Sequence, residues 1–326
     1  MRKLFFGGLL LFLFAACHDD ESYKQNVPEN LEPADIQLIV TGRVGSVVGD
    51  SLTQYIGALN LLLFREDGDG NYVLYDQKVL NEAELRSLED VGRTTEPGFT
   101  IYKEIAFDSV PISNYRIVGL GNVLNANGNS NPVVSLRGAV AGTPIRDVLV
   151  NVLNGSESPR LFWGMTEVIQ AGGQTEALPV LRLYRKVSMF ALTLMEVPDV
   201  VDRIAMDFTD TYGAFNTYGE FSSSAVNEVQ TSRPYQQQPG DSVTLSYVML
   251  PTVSGDSTAI QATFYLTDGD KQVISLPKYV LKPNTITKVR ASIDTDQPGN
   301  VWKVDINSLI TVNVEWNVDE EPPITI

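Results

Sequence analysis

Histidine and cysteine carry most metal ligation and much of the acid–base and nucleophilic chemistry of proteins. This chain of 326 residues has one of each, and they are neighbours, Cys17 and His18. Neither type recurs, so a Ser-His-Asp triad, a Cys-His pair and a His-ligated zinc or iron centre are excluded from everything after residue 18. Acids are plentiful, 40 Asp and Glu, yet no spacing marks two of them as facing carboxylates of a glycosidase cleft. Asp67-x-Asp69-x-Asn71 has the opening spacing of a calcium loop, but that loop needs Gly at its sixth place and Glu at its twelfth, and these are Tyr72 and Lys78. A hairpin turn is the expected role. No G-x-x-x-x-G-K phosphate cradle is present. The expectation is a protein without catalytic residues, metal or cofactor.

The position of the lone cysteine is informative in itself. Arg2 and Lys3 precede an apolar run of 11 residues, Leu4 to Phe14, and Ala15-Ala16-Cys17 follows. The run is shorter than the roughly 20 residues that span a membrane, and its flanks are those of an export signal. It resembles the lipobox of bacterial lipoproteins, in which the cysteine becomes the lipidated first residue. One departure stands out: Phe14 occupies the place where that family has Leu, and Leu13 lies one residue earlier. The acidic group His18-Asp19-Asp20-Glu21-Ser22 resembles the surface-export signal of lipoproteins in gut and oral Gram-negative anaerobes. Residues 1–16 are therefore expected to be a signal peptide and 17–34 a flexible acidic tether, with lipid on Cys17 in the outer membrane. Cleavage removes two cations and no acid, moving the net charge from −16 to −18. That charge opposes nucleic acid and anionic surfaces.

With Cys17 lipidated no disulfide can form, so the body must be held by its apolar cores. From Ile36 onward short β-type runs alternate with turn signals: Ile36–Thr41, Ala58–Phe64, Tyr72–Tyr75, Ile101–Phe107 paired with Tyr115–Leu120, and so on to Ile310–Trp316. Helical character is confined to Asn81–Glu89, where Asn81 is a cap. Asn216–Gly240 is polar and Ser/Gln-rich and reads as either a surface excursion or a poorly ordered stretch. Gly172-Gly173-Gln174 suggests a boundary, giving sandwiches at 35–176 and 177–326. The expected class is all-β, two β-sandwiches in tandem, with no internal repeat. The group Tyr212, Phe215, Tyr218 and Phe221, interleaved with Gly and Ser, is the candidate for an exposed contact surface.

Several stretches together resemble the fimbrillin-like lipoproteins, in particular the FimB/Mfa-type fimbrial anchors. They are the lipobox, Leu61–Gly68 with Tyr72-Val73, Ser113–Asn122, Leu183–Val187, Met249–Thr252 and the closing Val312–Trp316. The resemblance implies two transthyretin-like sandwiches in a type V pilus protein assembled by strand exchange between subunits. It implies that Leu183–Val187 opens the second sandwich, and that structural pilins lose their first strand to an Arg-directed protease whereas anchors keep it. Arg43 and Arg93 are the two places such a cut could fall; a solvated Arg in a strand end or loop is the plainer role. The exchange candidates are the apolar faces of the terminal strands, Ile36, Leu38 and Val40, and Ile310, Val312, Val314 and Trp316. The expected function is a lipid-anchored surface protein of a fimbria whose partners are fimbrial subunits. The alternative is a glycan-binding surface lipoprotein beside an outer-membrane importer, with a host glycan or protein as ligand. Within the fimbrial reading, whether the first strand is held inside a groove of its own domain or lies free bears most on anchor, stalk or tip, a buried and removable strand favouring a polymerising subunit.

Overall fold

The computed structural model describes residues 32–43, 52–89, 99–173, 178–235, 242–296 and 302–313. In chain order its strands are β1 (Ala34–Arg43), β2 (Ala58–Glu66), β3 (Tyr72–Asn81), β4 (Phe99–Val110), β5 (Asn114–Gly121), β6 (Val134–Arg137), β7 (Leu149–Val152), β8 (Phe162–Met165), β9 (Ile169–Gln170) and β10 (Val180–Arg185). They continue as β11 (Ser188–Met195), β12 (Val201–Tyr212), β13 (Ala214–Asn216), β14 (Val226–Pro234), β15 (Ser242–Met249), β16 (Thr258–Leu266), β17 (Lys271–Tyr279), β18 (Thr285–Asp294) and β19 (Lys303–Asn313). The single α-helix among the described residues is α1 (Glu82–Leu88). The fold is all-β, as its runs of alternating residues require.

The expected hairpin forms between β2 and β3. Asp67 Oδ1 accepts from the backbone N–H groups of Asp69 and Asn71, each at 2.9 Å, which makes the acidic cluster a turn. Helix α1 begins with a capping box: Asn81 Oδ1 accepts from Glu84 N, and Glu84 Oε2 accepts from Asn81 N. Asn216–Gly240, expected as an excursion, instead contains β14, paired along β12 from Arg203↔Pro234 to Tyr212↔Val226. Its alternation of Val229 and polar residues is that of an edge strand with one buried face.

The first sheet runs β3-β2-β5-β8-β10-β1-β4, with β9 attached to β5. Inner-face residues from both ends of this order, among them Leu61 and Leu63 of β2 and Tyr102 and Phe107 of β4, fill one core, so the sheet folds back on itself into two layers. The turn falls where β8 meets β10, which pair only at Tyr184↔Trp163 and Arg185↔Phe162. The edges close again where Lys78 Nζ of β3 donates to Ala106 O of β4 at 2.5 Å.

Two four-stranded sheets, β15-β11-β18-β19 and β14-β12-β16-β17, face each other around a second core of Phe190, Leu192, Phe208, Tyr247 and Phe264. A third core joins these units. It lies between the outer face of the first sheet (Leu62, Phe64, Val118, Leu120), the three-stranded sheet β13-β7-β6 (Val134, Val150, Phe215) and the outer face of β11 and β18 (Met189, Ala191, Ile286). Strand β2 is therefore covered on both faces, which explains its unbroken run Leu61-Leu62-Leu63-Phe64 where an alternating strand was the default.

Two placements depart from the sequence reading. Leu183–Val187, expected to open the second sandwich, instead contributes Leu183–Arg185 to β10, which is built into the first sheet between β8 and β1. Ile101–Phe107 and Tyr115–Leu120, expected to pair with each other, pair instead with β1 and with β2 and β8. Both are long-range choices that local patterning does not specify. No helix among the described residues is long and apolar enough to cross a membrane.

Candidate functional site

Strand β1 is an interior strand of its own sheet. On one side it runs parallel to β10, from Ile39↔Val180 to Gly42↔Leu183; on the other it runs antiparallel to β4, from Ala34↔Val110 to Arg43↔Phe99. Period-two alternation puts Ile36, Leu38 and Val40 on the inner face, where they are 2%, 1% and 0% exposed among Tyr102, Ile105, Phe107, Leu181 and Leu183. Strand β4 carries two bulges opposite β1, and Ser109, in the left-handed region at φ 55°, points its N–H at Asp35 Oδ1 at 2.9 Å. Together β4 and β10 form a groove that β1 fills, with ladder bonds to both walls. A strand taking its place must run parallel to β10 and antiparallel to β4 and present apolar residues at alternate positions.

Of the other exchange and cleavage candidates, Arg43 is the last residue of β1, opposite Phe99. Ile310 lies on β19, which among the described residues is an edge strand paired only with β18. A bulge at Asn307 divides β19. Before it, Val304 and Ile306 pack on the second core; after it, Leu309 and Ile310 are 53% and 56% exposed. Val312 continues the ladder opposite Ile286. Cys17, Arg93, Val314 and Trp316 lie outside the described residues.

The aromatic group expected as an exposed contact surface is a correction. Tyr212 and Phe215 are buried, at 8% and 0%, and Tyr218 and Phe221 are half-buried against the third core. Tyr212 stacks on Phe221 at 4.9 Å, and Phe215 meets Phe221 edge-on at 6.1 Å. The Gly and Ser residues between them turn the chain back from β13, with Gly219 in the left-handed region, and so fold the rings inward. Over them lies Lys186, whose Nζ donates to Gly219 O at 2.7 Å and sits 4.7 and 4.9 Å from the ring centroids of Trp163 and Phe221. Burial pushes the Lys186 pKa down to about 8, and no carboxylate among the described residues pairs with it. The folded chain thus releases this proton near pH 8 and the unfolded chain near 10.5, so unfolding takes up a proton between those values and stability rises with pH there. In urea denaturation across that window, Lys186→Met is expected to remove a rise of at most about 1.4 kcal/mol per pH unit. An identical pH dependence in the two proteins contradicts this.

Among the described residues no group of three His, Cys, Asp or Glu is placed to hold a metal. The geometry described comprises a filled groove, an edge strand at β19 and two sandwiches that share a third core. The family model for fimbrillin-A associated anchor proteins Mfa1 and Mfa2 matches residues 32–321, which takes in β1 through β19. The chain belongs to this family. No curated protein matches it in sequence. Among solved structures, this Mfa-family chain resembles a candidate adhesin of Bacteroides ovatus at a TM-score of 0.52, with 11% identity over 86% of this chain and 95% of that one. It also resembles a candidate adhesin of Bacteroides thetaiotaomicron at 0.50, with 12% identity over 88% and 100%. The fimbrial anchor protein Mfa2 of Porphyromonas gingivalis follows at 0.49, with 13% identity over 84% and 99%. At such identities the likeness speaks for the fold; it is the family match that places the protein among fimbrial anchor proteins.

The groove walls of this Mfa-family protein were not identified from sequence. Leu181 and Leu183 alternate clearly with Val180, Arg182 and Tyr184, which marks a strand with one buried face, but nothing local says that the face belongs to the first core. Lys186 carried no signal beyond its place next to an apolar run.

Proposed function

We propose that this chain is a lipid-anchored fimbrial anchor or subunit at the cell surface that assembles by β-strand complementation. The observation that carries the reading is the filled groove: β1 supplies from within the chain the strand that β4 and β10 need, so this acceptor is closed to any other subunit. At the other end β19 is an edge strand with Leu309 and Ile310 exposed, a donor or docking edge. While β1 is retained, a protein closed at this groove and open at β19 can begin a polymer, which suits an anchor; removal of β1 by a cut after Arg43 would open the groove and suit a polymerising subunit. Family membership supports the same role. The acidic tether after Cys17 and the lipobox-like residues before it supply the attachment to the outer membrane.

The test is a two-armed expression experiment with the partner pilin. Replacing Cys17 by Ala is expected to abolish labelling by radioactive palmitate and release the protein from the membrane fraction. Deleting residues 310–326 is expected to leave membrane attachment intact and to eliminate co-purification with the pilin. Palmitate labelling that survives in Cys17→Ala removes the lipid assignment, and undiminished co-purification after the deletion removes β19 as an exchange element.

A further inference from the structure

We infer that the fork between β8 and β10 is a binding site for a neutral oligosaccharide. The two strands pair at Trp163↔Tyr184 and Phe162↔Arg185, stay in contact where Gly164 packs against the Arg182 carbonyl, and then diverge. The β8 side leads into Thr166, whose Oγ1 accepts from Ile117 N at 3.0 Å, and on to β9 beside β5, whereas β10 stays against β1. A cavity of about 580 Å³ occupies the fork, within the size range of small-molecule sites.

Two aromatic residues stand at its apex. Direct opposition in an antiparallel pair puts Trp163 and Tyr184 on one face. Trp163 is fixed in place: Nε1 donates to Thr217 O at 2.9 Å, the Lys186 ammonium lies 4.7 Å from the ring centroid, and Gly219 packs so closely that a Cβ there would fall 2.8 Å from Cε2. Tyr184, 54% exposed, has no such support and stands in solvent beside the exposed Val168 and Val180. A ring already immobilised loses little freedom when a ligand stacks on it.

The polar groups narrow the ligand class. The Glu167 and Arg182 side chains and the Tyr184 hydroxyl line the cavity without a hydrogen bond or ion pair to any described residue. Arg182 can only donate and an ionised Glu167 can only accept. Sugar hydroxyls do both, and the C–H faces of a pyranose ring suit the aromatic pair. A phosphate or uronate would satisfy Arg182 but meet Glu167 and a chain of net charge −16. A peptide strand is held by main-chain bonds and has no need of the ring pair, so ring variants separate it from a sugar.

The full chain, in a zwitterionic detergent free of sugar, is to be screened against malto-, cello-, manno- and chito-oligosaccharides with acidic oligosaccharides alongside, and every hit titrated by calorimetry. Saturable binding to at least one neutral series is expected. Tyr184→Ala, which alters an exposed side chain, should weaken it about tenfold, and Arg182→Ala and Glu167→Ala should each weaken it too. Binding confined to acidic sugars, binding unchanged by both Tyr184→Ala and Trp163→Ala, or no saturable binding across the panel overturns the inference.

Discussion

A chain cut at a protease site introduced directly after Arg43 is expected to stay folded while β1 remains in place, to lose its first core when β1 is washed out, and to recover it when a peptide of residues 32–43 is added. Burying Ile36, Leu38 and Val40 at the observed 0–2% exposure is worth on the order of 5–9 kcal/mol in total as an upper figure. Whole domains are stable by about 5–15 kcal/mol, so losing the strand removes most of the margin. The loss also strips ladder partners from both β4 and β10, leaving two unpaired edges facing each other across an apolar slot. Recovery should need the native face: a peptide carrying Leu38→Asp fills the backbone ladder but places a charge among Tyr102, Ile105 and Leu181. Near-UV circular dichroism follows the result. If the washed chain keeps its signal and its melting temperature, β1 does not complete the sheet and the strand-complementation reading fails with it.

The second large effect is expected from Phe215→Ala. Its ring is fully buried in the third core, near residues of the first sheet, β7, β11 and β18, and truncations of this kind cost about 3–5 kcal/mol. Because that core touches both sandwiches, the variant should unfold in urea at a lower midpoint for probes in both. Fluorescence of Trp163 at the first sheet and of Trp302 against the second core, read in single-tryptophan variants, gives the two probes. A shift seen by only one of them would mean that the sandwiches stand on separate cores and that the third is a contact of little weight.

Much of the architecture is visible in the residues. The Asp67–Asn71 turn, the Asn81 cap and the strand runs follow local rules of spacing and capping, and those rules hold in the structure. The assignment of strands to sheets is different in kind. β10 joins β1 in parallel across some 140 intervening residues, a pairing with no local signature. For the same reason the Tyr212–Phe221 rings were misplaced: Gly213, Gly219 and Ser222–Ser224 look like a surface loop until the third core, which draws on both halves of the chain, is seen to cover them. The groove face of β1 was legible because alternation names the buried side; its walls were not, because they come from elsewhere.

Strand β1 follows directly on the segment that leads back to Cys17, and it runs inside a sheet, not at its rim. A pull on that segment therefore acts along the strand's own axis. An edge strand loaded across its axis peels one bond at a time, whereas β1 is loaded in shear, with the ladders to β4 and β10 resisting together. Survival under tension is set by the rate of unfolding and not by equilibrium stability. In this geometry a strand laddered on both sides is also the one on which a pull from the membrane side would act.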